Sequence, residues 1–204
     1  MASDPARIIR TPPEWEQSNG NIHSVAVNLK PPNLAFESEI VYTVPILFKE
    51  TSNLKAVDVF TDGSCILHDN GRGGYGALLI YGSNTKELYG GFTLTTNNRM
   101  ELLAVIYALE ELKYPCAVTI YSDSRYVTEP VNKNWIQNWV KKDFNGIKNP
   151  DLWRRLLPLL DKHDVTFVWV KGHSGVPNNE RADELASIGA SLPNLPIDKR
   201  LDKG

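Results

Sequence analysis

The sequence predicts an α/β fold in which a mixed five-stranded sheet is flanked by helices. Two observations lead to this prediction. Residues 57–94 contain three strand-like segments separated by short turns rich in glycine and asparagine. Residues 99–190 then alternate helical periodicity with two further strand-like runs. Strands joined by tight turns pair antiparallel, whereas strands joined through helices usually pair in parallel, so one sheet should contain both arrangements.

The first three strands are expected at 57–61, 76–81 and 87–94. Each is a short run with strand-like composition. The turns between them contain Gly73-Gly74 and Gly82-Ser83-Asn84. Short strands separated by such turns are typical of an antiparallel meander.

Helices and the two remaining strands follow the meander. The first helix is expected from Arg99 to Lys113, and Pro115 prevents its continuation. Its apolar stripe consists of Leu102, Leu103, Ile106, Leu109 and Leu112. A nearly continuous apolar run at 117–122 predicts a central fourth strand. The other expected elements are short helices at 124–128 and 135–140, a longer helix from an N-cap at Asp151 to 162, a fifth strand at 165–170 and a last helix at 179–190.

The segment 1–55 differs from the rest of the chain. It contains six prolines and alternates only weakly like strands at 23–29 and 39–48. We therefore predict three parts: an N-terminal extension at 1–55, a main domain at 56–192, and a loose polar tail at 193–204. The extension is expected to pack on the core as an arm or to bind a protein partner.

Composition is that of an ordinary soluble protein. The net charge is −2, which does not by itself indicate a nucleic-acid binder. Two cysteines, Cys65 and Cys116, form neither a disulfide framework nor a zinc pattern. No run approaches the roughly 20 apolar residues of a membrane span, and the N-terminus lacks a signal-peptide core. A cytoplasmic monomer without membrane contact is expected.

Four acidic residues stand on four different predicted elements. Asp62 and Asp123 end strands, Glu101 lies in the first turn of a helix, and Asp183 lies near the start of the last helix. Any one of them, taken singly, would be a solvated surface charge. Carboxylates crowded at one point would repel one another and bind protons. Hard oxygen ligands in a cluster therefore imply a divalent cation, most simply Mg²⁺.

At these acids the chain resembles type 1 ribonuclease H. The resemblance is carried by Phe60-Thr61-Asp62-Gly63-Ser64, Thr96-Asn97-Asn98-Arg99-Met100-Glu101-Leu102, Ser122-Asp123-Ser124, Trp169-Val170-Lys171-Gly172-His173 and Asn179-Glu180-Arg181-Ala182-Asp183-Glu184-Leu185-Ala186, in the family's order. It extends from about residue 56 to about residue 190. The resemblance implies a ribonuclease H-like fold and hydrolysis of the RNA strand of RNA–DNA hybrids, leaving 5′-phosphate and 3′-hydroxyl ends. It also implies two Mg²⁺ ions during catalysis, with Mn²⁺ as a substitute, held by the four acids.

The resemblance also implies roles for other residues. His173, in a glycine-flanked loop, would assist proton transfer or product release and would not bind metal. Contacts to the hybrid are expected from Cys65, Thr96, Asn97, Asn98, Arg125, Trp135, Lys141, Lys142 and Lys148. Structural alternatives remain for some of these residues. Asn97 or Asn98 could cap the first helix, and at least one of Trp135 and Trp139 is expected in the core.

Three departures from the family pattern stand out. The basic stretch between Trp139 and Trp153 is short, Arg125 stands where glutamine is common, and the loop at 65–74 contains His68-Asp69-Asn70. The extension at 1–55 has five basic and six acidic residues, which argues against a hybrid-binding module. Three alternatives stay open: a DNA-cleaving relative of the same fold, a metal-dependent binder without turnover, and the nuclease part of a reverse-transcriptase system.

Overall fold

The computed structural model describes residues 8–10, 54–66 and 71–199. The strands are β1 (Ile8–Arg10), β2 (Lys55–Ile66), β3 (Arg72–Tyr81), β4 (Asn84–Phe92), β5 (Cys116–Ser122) and β6 (Asp164–Trp169). The helices are α1 (Asn97–Glu111), α2 (Arg125–Asn132), α3 (Trp135–Lys141), α4 (Pro150–Lys162) and α5 (Pro177–Ser191). The strand-like segments expected at 23–29 and 39–48 and the loop residues 67–70 lie outside the described residues.

One mixed sheet organises the domain. Its strand order is β1-β4-β3-β2-β5-β6. The pairs β1–β4, β4–β3 and β3–β2 are antiparallel, whereas β2–β5 and β5–β6 are parallel. The five predicted strands and their mixed pairing are thus confirmed. A sixth strand, β1, comes from the N-terminal extension and was not predicted.

Helices cover both faces of the sheet. Val59 of β2 faces the main core, where α1 is buried from Arg99 to Leu109. Its neighbour Phe60 faces the other side and packs in a small cluster with Ala182 of α5, because successive strand residues point to opposite faces. The backbone of α5 lies so close to the sheet that a Cβ at Gly76 would come within 2.2 Å of the Ala182 carbonyl oxygen. The resulting three layers hold the ends of β2 and β5 between α1 and α5.

The prediction that the C-terminal tail at 193–204 is loose is wrong for its first part. Thr93 pairs with Ile197 in an isolated parallel bridge, and Asp198 is 8% exposed. The tail is therefore packed on the domain as far as Asp198. A polar residue is costly to bury unless it has partners, and the sequence pattern alone did not reveal them.

The helix N-termini give two further corrections. The N-cap of α1 is Thr96, and neither Asn97 nor Asn98 caps the helix. The N-cap of α4 is Asn149, so Asp151 is not a capping residue. The Asp151 carboxylate accepts hydrogen bonds from Arg99 instead, because a buried guanidinium requires charged partners.

Other expectations concern the cysteines, Trp139 and membrane spans. Cys65 and Cys116 are both free thiols. Trp139 is partly buried and packs edge-on against Trp153 at 5.2 Å, which confirms a core role for one of the two tryptophans of α3. Within the described ranges, no helix has the length and apolar character needed to cross a bilayer.

Candidate functional site

Strand register places Asp62 and Asp123 side by side. In the parallel pair of β2 and β5, Thr61 lies opposite Ser122, and the next residue after each is an aspartate. Asp123 directly follows β5 as predicted, but Asp62 does not end its strand: β2 continues to Ile66 because its pairing with β3 extends beyond the point where its pairing with β5 stops. The carboxyl ends of parallel strands meet at one edge of the sheet, and neighbouring strands are about 4.8 Å apart. The two carboxylates therefore reach the same point although 60 residues separate them in sequence.

Glu101 reaches this point because α1 lies directly on β2. A Cβ on Gly63 would come within 2.4 Å of the Glu101 backbone nitrogen, so only glycine permits this approach. The Glu101 side chain is buried with 5% exposure, and Asn97 donates a hydrogen bond to its Oε1 at 3.2 Å. Its Oε2 is buried and has no hydrogen-bond partner among the described residues.

Asp183 and His173 lie beside the other acids in the site: Asp183 interacts with Asp62, and His173 interacts with Asp123. Asp183 lies on the second turn of α5 and is partly exposed. His173 Nδ1 is 3.8 Å from Asp183 Oδ2, and the imidazole is 83% exposed. The loop that precedes α5 is held at the end next to the helix, where the backbone N–H of Gly175 donates a hydrogen bond to Glu180 Oε1. The histidine can therefore exchange protons with solvent while it stays near the acids.

Burial and mutual repulsion favour the protonated carboxyl groups. Burial, followed by the charges of Asp123 and Asp183, raises the pKa of Asp62 to about 8. Burial and the charges of Asp62 and Asp123 raise the pKa of Glu101 well above its usual range. Burial likewise raises the pKa of Asp123, although a backbone hydrogen bond and, to a smaller extent, His173 oppose this shift. Such a group of acids ionises fully only when a cation neutralises it.

The residues fit a divalent metal ion. Asp62, Glu101 and Asp123 each offer a carboxylate oxygen, and these three atoms lie within 4.8 Å of one another. All are hard oxygen ligands, the type that Mg²⁺ and Mn²⁺ prefer. The buried Glu101 Oε2, which has no protein donor, is the kind of atom that a cation would satisfy. Asp183 stands outside this group of three but faces the same cavity.

The cavity brings together most of the predicted site. It has a volume of about 540 Å³. The predicted residues that line it are Asp62, Cys65, Asn97, Asn98, Glu101, Asp123, Arg125, His173 and Asp183. Sequence reasoning missed five other side chains in its wall: Ser64, Ser124, Tyr126, Asn179 and Glu180.

Among these missed residues, Asn179 is the most constrained. It is 4% exposed, and its Oδ1 has no hydrogen-bond partner in the described part of the chain. Asn179 is the first residue of the sequence motif that contains Asp183. Membership of this motif was the sequence signal that could have identified it as a site residue.

Five predicted substrate contacts lie outside the cavity wall. Thr96 is exposed at the N-cap of α1. Trp135 is 41% exposed, and the Lys133 ammonium lies 5.0 Å from the centre of its ring. Lys141, Lys142 and Lys148 are all exposed. Phe144, which stands between these lysines in sequence, is buried in the core instead.

An exposed tryptophan supports one wall of the cavity. Trp169 Nε1 donates to the backbone oxygen of Asp123 at 2.9 Å. The Arg125 guanidinium stacks over the same indole at 4.9 Å from the ring centre. Trp169 therefore links the position of a carboxylate to that of a cation at the edge of the cavity.

Comparisons with known proteins identify the family. The RNase H family profile matches residues 54–191. Ribonuclease H of Desulforamulus reducens (strain ATCC BAA-1160 / DSM 100696 / MI-1) is 49% identical over 156 residues, which cover 74% of this chain and 98% of that protein. The crystal structure of LC9-RNase H1, a type 1 RNase H with the type 2 active-site motif, has a TM-score of 0.62 at 29% identity and covers 68% of this chain and 73% of that one. The prototype foamy virus protease-reverse transcriptase has a TM-score of 0.61 at 25% identity, over 71% of this chain and 22% of that one.

The bacterial relative is matched over nearly its whole length, and the family profile covers every strand and helix described here except β1. This chain therefore belongs to the RNase H family, whose members are hydrolytic nucleases.

Proposed function

We propose that this protein hydrolyses the RNA strand of RNA–DNA hybrids with the help of divalent cations. The observation that carries the proposal is the convergence of three carboxylate oxygens within 4.8 Å, from Asp62 within β2, from Asp123 directly after β5 and from Glu101 on α1. Asp62, Glu101, Asp123 and Asp183 would hold Mg²⁺. When bound, two such ions supply an activated water and stabilise charge on the leaving 3′ oxygen.

The charge of the site explains why the protein needs cations to accept its substrate. Five carboxylates line the cavity, those of Asp62, Glu101, Asp123, Glu180 and Asp183, and a phosphodiester is itself an anion. These acids would repel the scissile phosphate until their charge is neutralised. Arg125, exposed at the rim, is a cation that can attract the neighbouring backbone.

Substrate selection is proposed for the N-terminal end of α1. Asn97 and Asn98 are exposed in the cavity wall, and amide side chains can hydrogen-bond the minor-groove edges and 2′-hydroxyls that distinguish RNA from DNA. Asn97 also donates to Glu101. Binding of the hybrid at the two asparagines is thereby coupled to the orientation of a metal-binding carboxylate.

His173 is proposed to move protons at the edge of the site. Its imidazole is 83% exposed and lies 3.8 Å from Asp183, too far for a direct hydrogen bond. It can therefore accept a proton from a water near Asp183 and pass it to solvent, which aids turnover without holding metal. His173→Ala should slow hydrolysis without abolishing it. Its Mg²⁺ affinity, measured by calorimetry, should be unchanged, which would distinguish proton transfer from metal binding as the role of His173.

The test compares four end-labelled substrates with Mg²⁺: RNA–DNA hybrid, double-stranded RNA, double-stranded DNA and single-stranded RNA. Cleavage of the hybrid's RNA strand alone supports the proposal. Asp62→Asn controls for contaminating nucleases and should be inactive. Cleavage of DNA would instead favour a DNA-cleaving relative of the fold, and binding without cleavage would favour a nucleic-acid binder.

A second candidate role is that of the nuclease part of a reverse-transcriptase system. The similarity to the foamy virus protease-reverse transcriptase favours it, although the chain matches only 22% of that protein. The 98% coverage of the bacterial ribonuclease H favours an enzyme that acts by itself. Hybrid cleavage by the purified chain, without a polymerase, would support an enzyme that acts by itself.

The parts of the chain are proposed to act as a nuclease domain at 56–192 with an extension at 1–55 that binds a protein partner. A variant without residues 1–53 should remain a folded, cleaving monomer, as measured by sedimentation and the hybrid assay. Loss of solubility on this deletion would mean that the extension completes the core. The cytoplasm is the proposed compartment, which fractionation of cells would test.

A further inference from the structure

A buried arginine connects the start of α1 to two acidic residues that are far away in sequence. Arg99 is 1% exposed. Its Nη1 and Nη2 donate to the two carboxylate oxygens of Asp151 at 2.9 and 2.8 Å. Its Nε and Nη2 donate to the two oxygens of Asp198 at 2.5 and 2.9 Å. Both sides of the guanidinium are thus engaged by bidentate, charge-assisted hydrogen bonds.

The C-terminal tail, which contains Asp198, is hydrogen-bonded to the loop that leads into α1. Thr93 donates its backbone N–H to the Pro196 oxygen at 2.8 Å, and Asp198 donates its own to the Thr93 oxygen at 2.9 Å. The Thr95 hydroxyl donates to Asp198 Oδ2 at 2.6 Å. Asp198 therefore holds both the loop at 93–95 and the first turn of α1.

A cation at the start of a helix requires this compensation. The helix dipole places positive potential at the N-terminus of α1, so Arg99 would be disfavoured there without anionic partners. Removal of one partner from a buried ion pair leaves an uncompensated charge, which the surrounding backbone relieves by moving. The first turn of α1 contains the residues that would move: Asn97 and Asn98 directly precede Arg99.

Glu101 is fixed in a different way. Its backbone is in contact with Gly63 of β2, where no side chain separates helix and strand. A change at Asp198 should therefore displace the two asparagines more than it displaces the metal-binding carboxylate.

The network also reaches a second element of the cavity wall, α2. Arg99 Nη1 lies 3.4 Å from Asn149 Oδ1, and Asn149 Nδ2 donates to the Tyr126 hydroxyl at 2.9 Å. Tyr126 lines the cavity from α2. One buried charged group thus connects residues of α1 and α2 that line the cavity.

We infer that Asp198 is a positioning residue for substrate binding: through Arg99 and Thr95 it holds Asn97 and Asn98 in place for contact with the nucleic acid. This inference rests on the proposed function. It makes the C-terminal segment up to Asp198 part of the binding machinery, although the family profile ends at residue 191.

The test compares Asp198→Asn with Glu110→Gln. Glu110 forms a similar bidentate ion pair, with Arg155 at 2.7 and 2.8 Å. This pair joins α1 to α4, as the Arg99–Asp151 pair does, but neither residue lines the cavity. Both variants lose one carboxylate charge from an arginine pair. We expect Asp198→Asn to raise the KM for hybrid about tenfold, equivalent to about 1.4 kcal/mol, with kcat within about twofold of wild type. Glu110→Gln should change neither constant at a temperature where both variants are folded.

A second measurement distinguishes local displacement of the first turn of α1 from a general loss of stability. Amide hydrogen exchange in Asp198→Asn should accelerate at residues 95–99 while residues 102–108 remain protected, and Thr95→Val should produce the same pattern more weakly. An unchanged KM in Asp198→Asn, or equal effects in the two charge variants, would overturn the inference. If the wild-type protein cleaves no hybrid, the proposed function fails, and the exchange comparison alone decides whether Asp198 positions α1.

Discussion

Replacement of Asp62 by asparagine should stabilise the folded protein when divalent cations are removed. Asp62 is buried with 8% exposure among other carboxylates. In the absence of a cation its ionised form is unfavourable there, because of burial and of repulsion from Asp123 and Asp183. Asparagine has nearly the same shape and no charge, so it removes this cost.

The direction and the size of this change in stability follow from the pKa of Asp62. Its value rises from 3.8 in the unfolded chain to about 8 in the folded protein. Between these pH values the folded state holds a proton that the unfolded state has lost, so the free energy of unfolding falls as pH rises. One such group changes the stability by about 1.4 kcal/mol per pH unit, which sets an upper limit of about 4 kcal/mol at pH 7.

The observed gain should be smaller than this limit. The neighbouring carboxyl groups adjust their own protonation, and the asparagine amide must itself be accommodated in a buried site. We expect a gain of about 1–3 kcal/mol at pH 7 with EDTA, or roughly 3–10 °C in Tm for a chain of this size.

Thermal and urea unfolding in EDTA, measured from pH 5 to pH 8, provide the assay. The matched control is Asp58→Asn, which removes an exposed carboxylate from the same strand. Asp62→Asn should flatten the decline of stability with pH, and the control should not. With Mg²⁺ present the order should reverse, since only the wild-type site gains stability from the ion. An equal or lower Tm for Asp62→Asn in EDTA at pH 7 would refute the reasoning.

Three further predictions concern the same site. Gly63→Ala should lower the free energy of unfolding by about 2 kcal/mol or more in urea, because its Cβ would lie 2.4 Å from the Glu101 backbone nitrogen; a loss below about 0.5 kcal/mol would contradict the close packing. Gly172→Ala should reduce kcat for hybrid about tenfold or more with little effect on stability, because its Cβ would lie 2.3 Å from Asp123 Oδ2; an unchanged kcat would show that the loop can adjust. Calorimetric Mg²⁺ affinity should increase from pH 6 to pH 8, since Asp62 and Glu101 must lose protons whose binding is favoured by burial; affinity independent of pH would mean that other groups bind the ion.

The pattern of apolar residues by itself determined the main architecture. Val57–Thr61 and 117–122 were identified as strands because side chains on a sheet alternate or run continuously apolar according to burial. The same local patterns placed Asp123 directly after a strand and Glu101 on a helix, whereas Asp62, predicted at a strand end, lies within β2. Their shared location was expected from the resemblance of the surrounding motifs to type 1 ribonuclease H, and the parallel pairing of β2 with β5 and the packing of α1 on β2 explain it physically.

The sequence was less informative wherever a residue's partner lies far along the chain. It indicated Asp151 as a helix cap and the tail as loose, whereas both Asp151 and Asp198 are committed to Arg99. Acidic residues at a helix start and in a polar tail have ordinary local explanations. Only tertiary structure shows that a buried cation stands 52 and 99 residues away from them.

The tertiary structure also decided how the acids are grouped and what surrounds them. Asp62, Glu101 and Asp123 form a close set, while Asp183 stands outside this set, next to Asp62 and to His173. The added strand β1 and the cavity position of Asn179 likewise depend on chain packing. The sequence thus determined which residue types the chemistry requires and on which elements they stand, because those properties follow from local periodicity. Their distances, burial and ion partners were decided by the packing of α1, α5 and the tail on the sheet, because these contacts join segments that are remote in sequence.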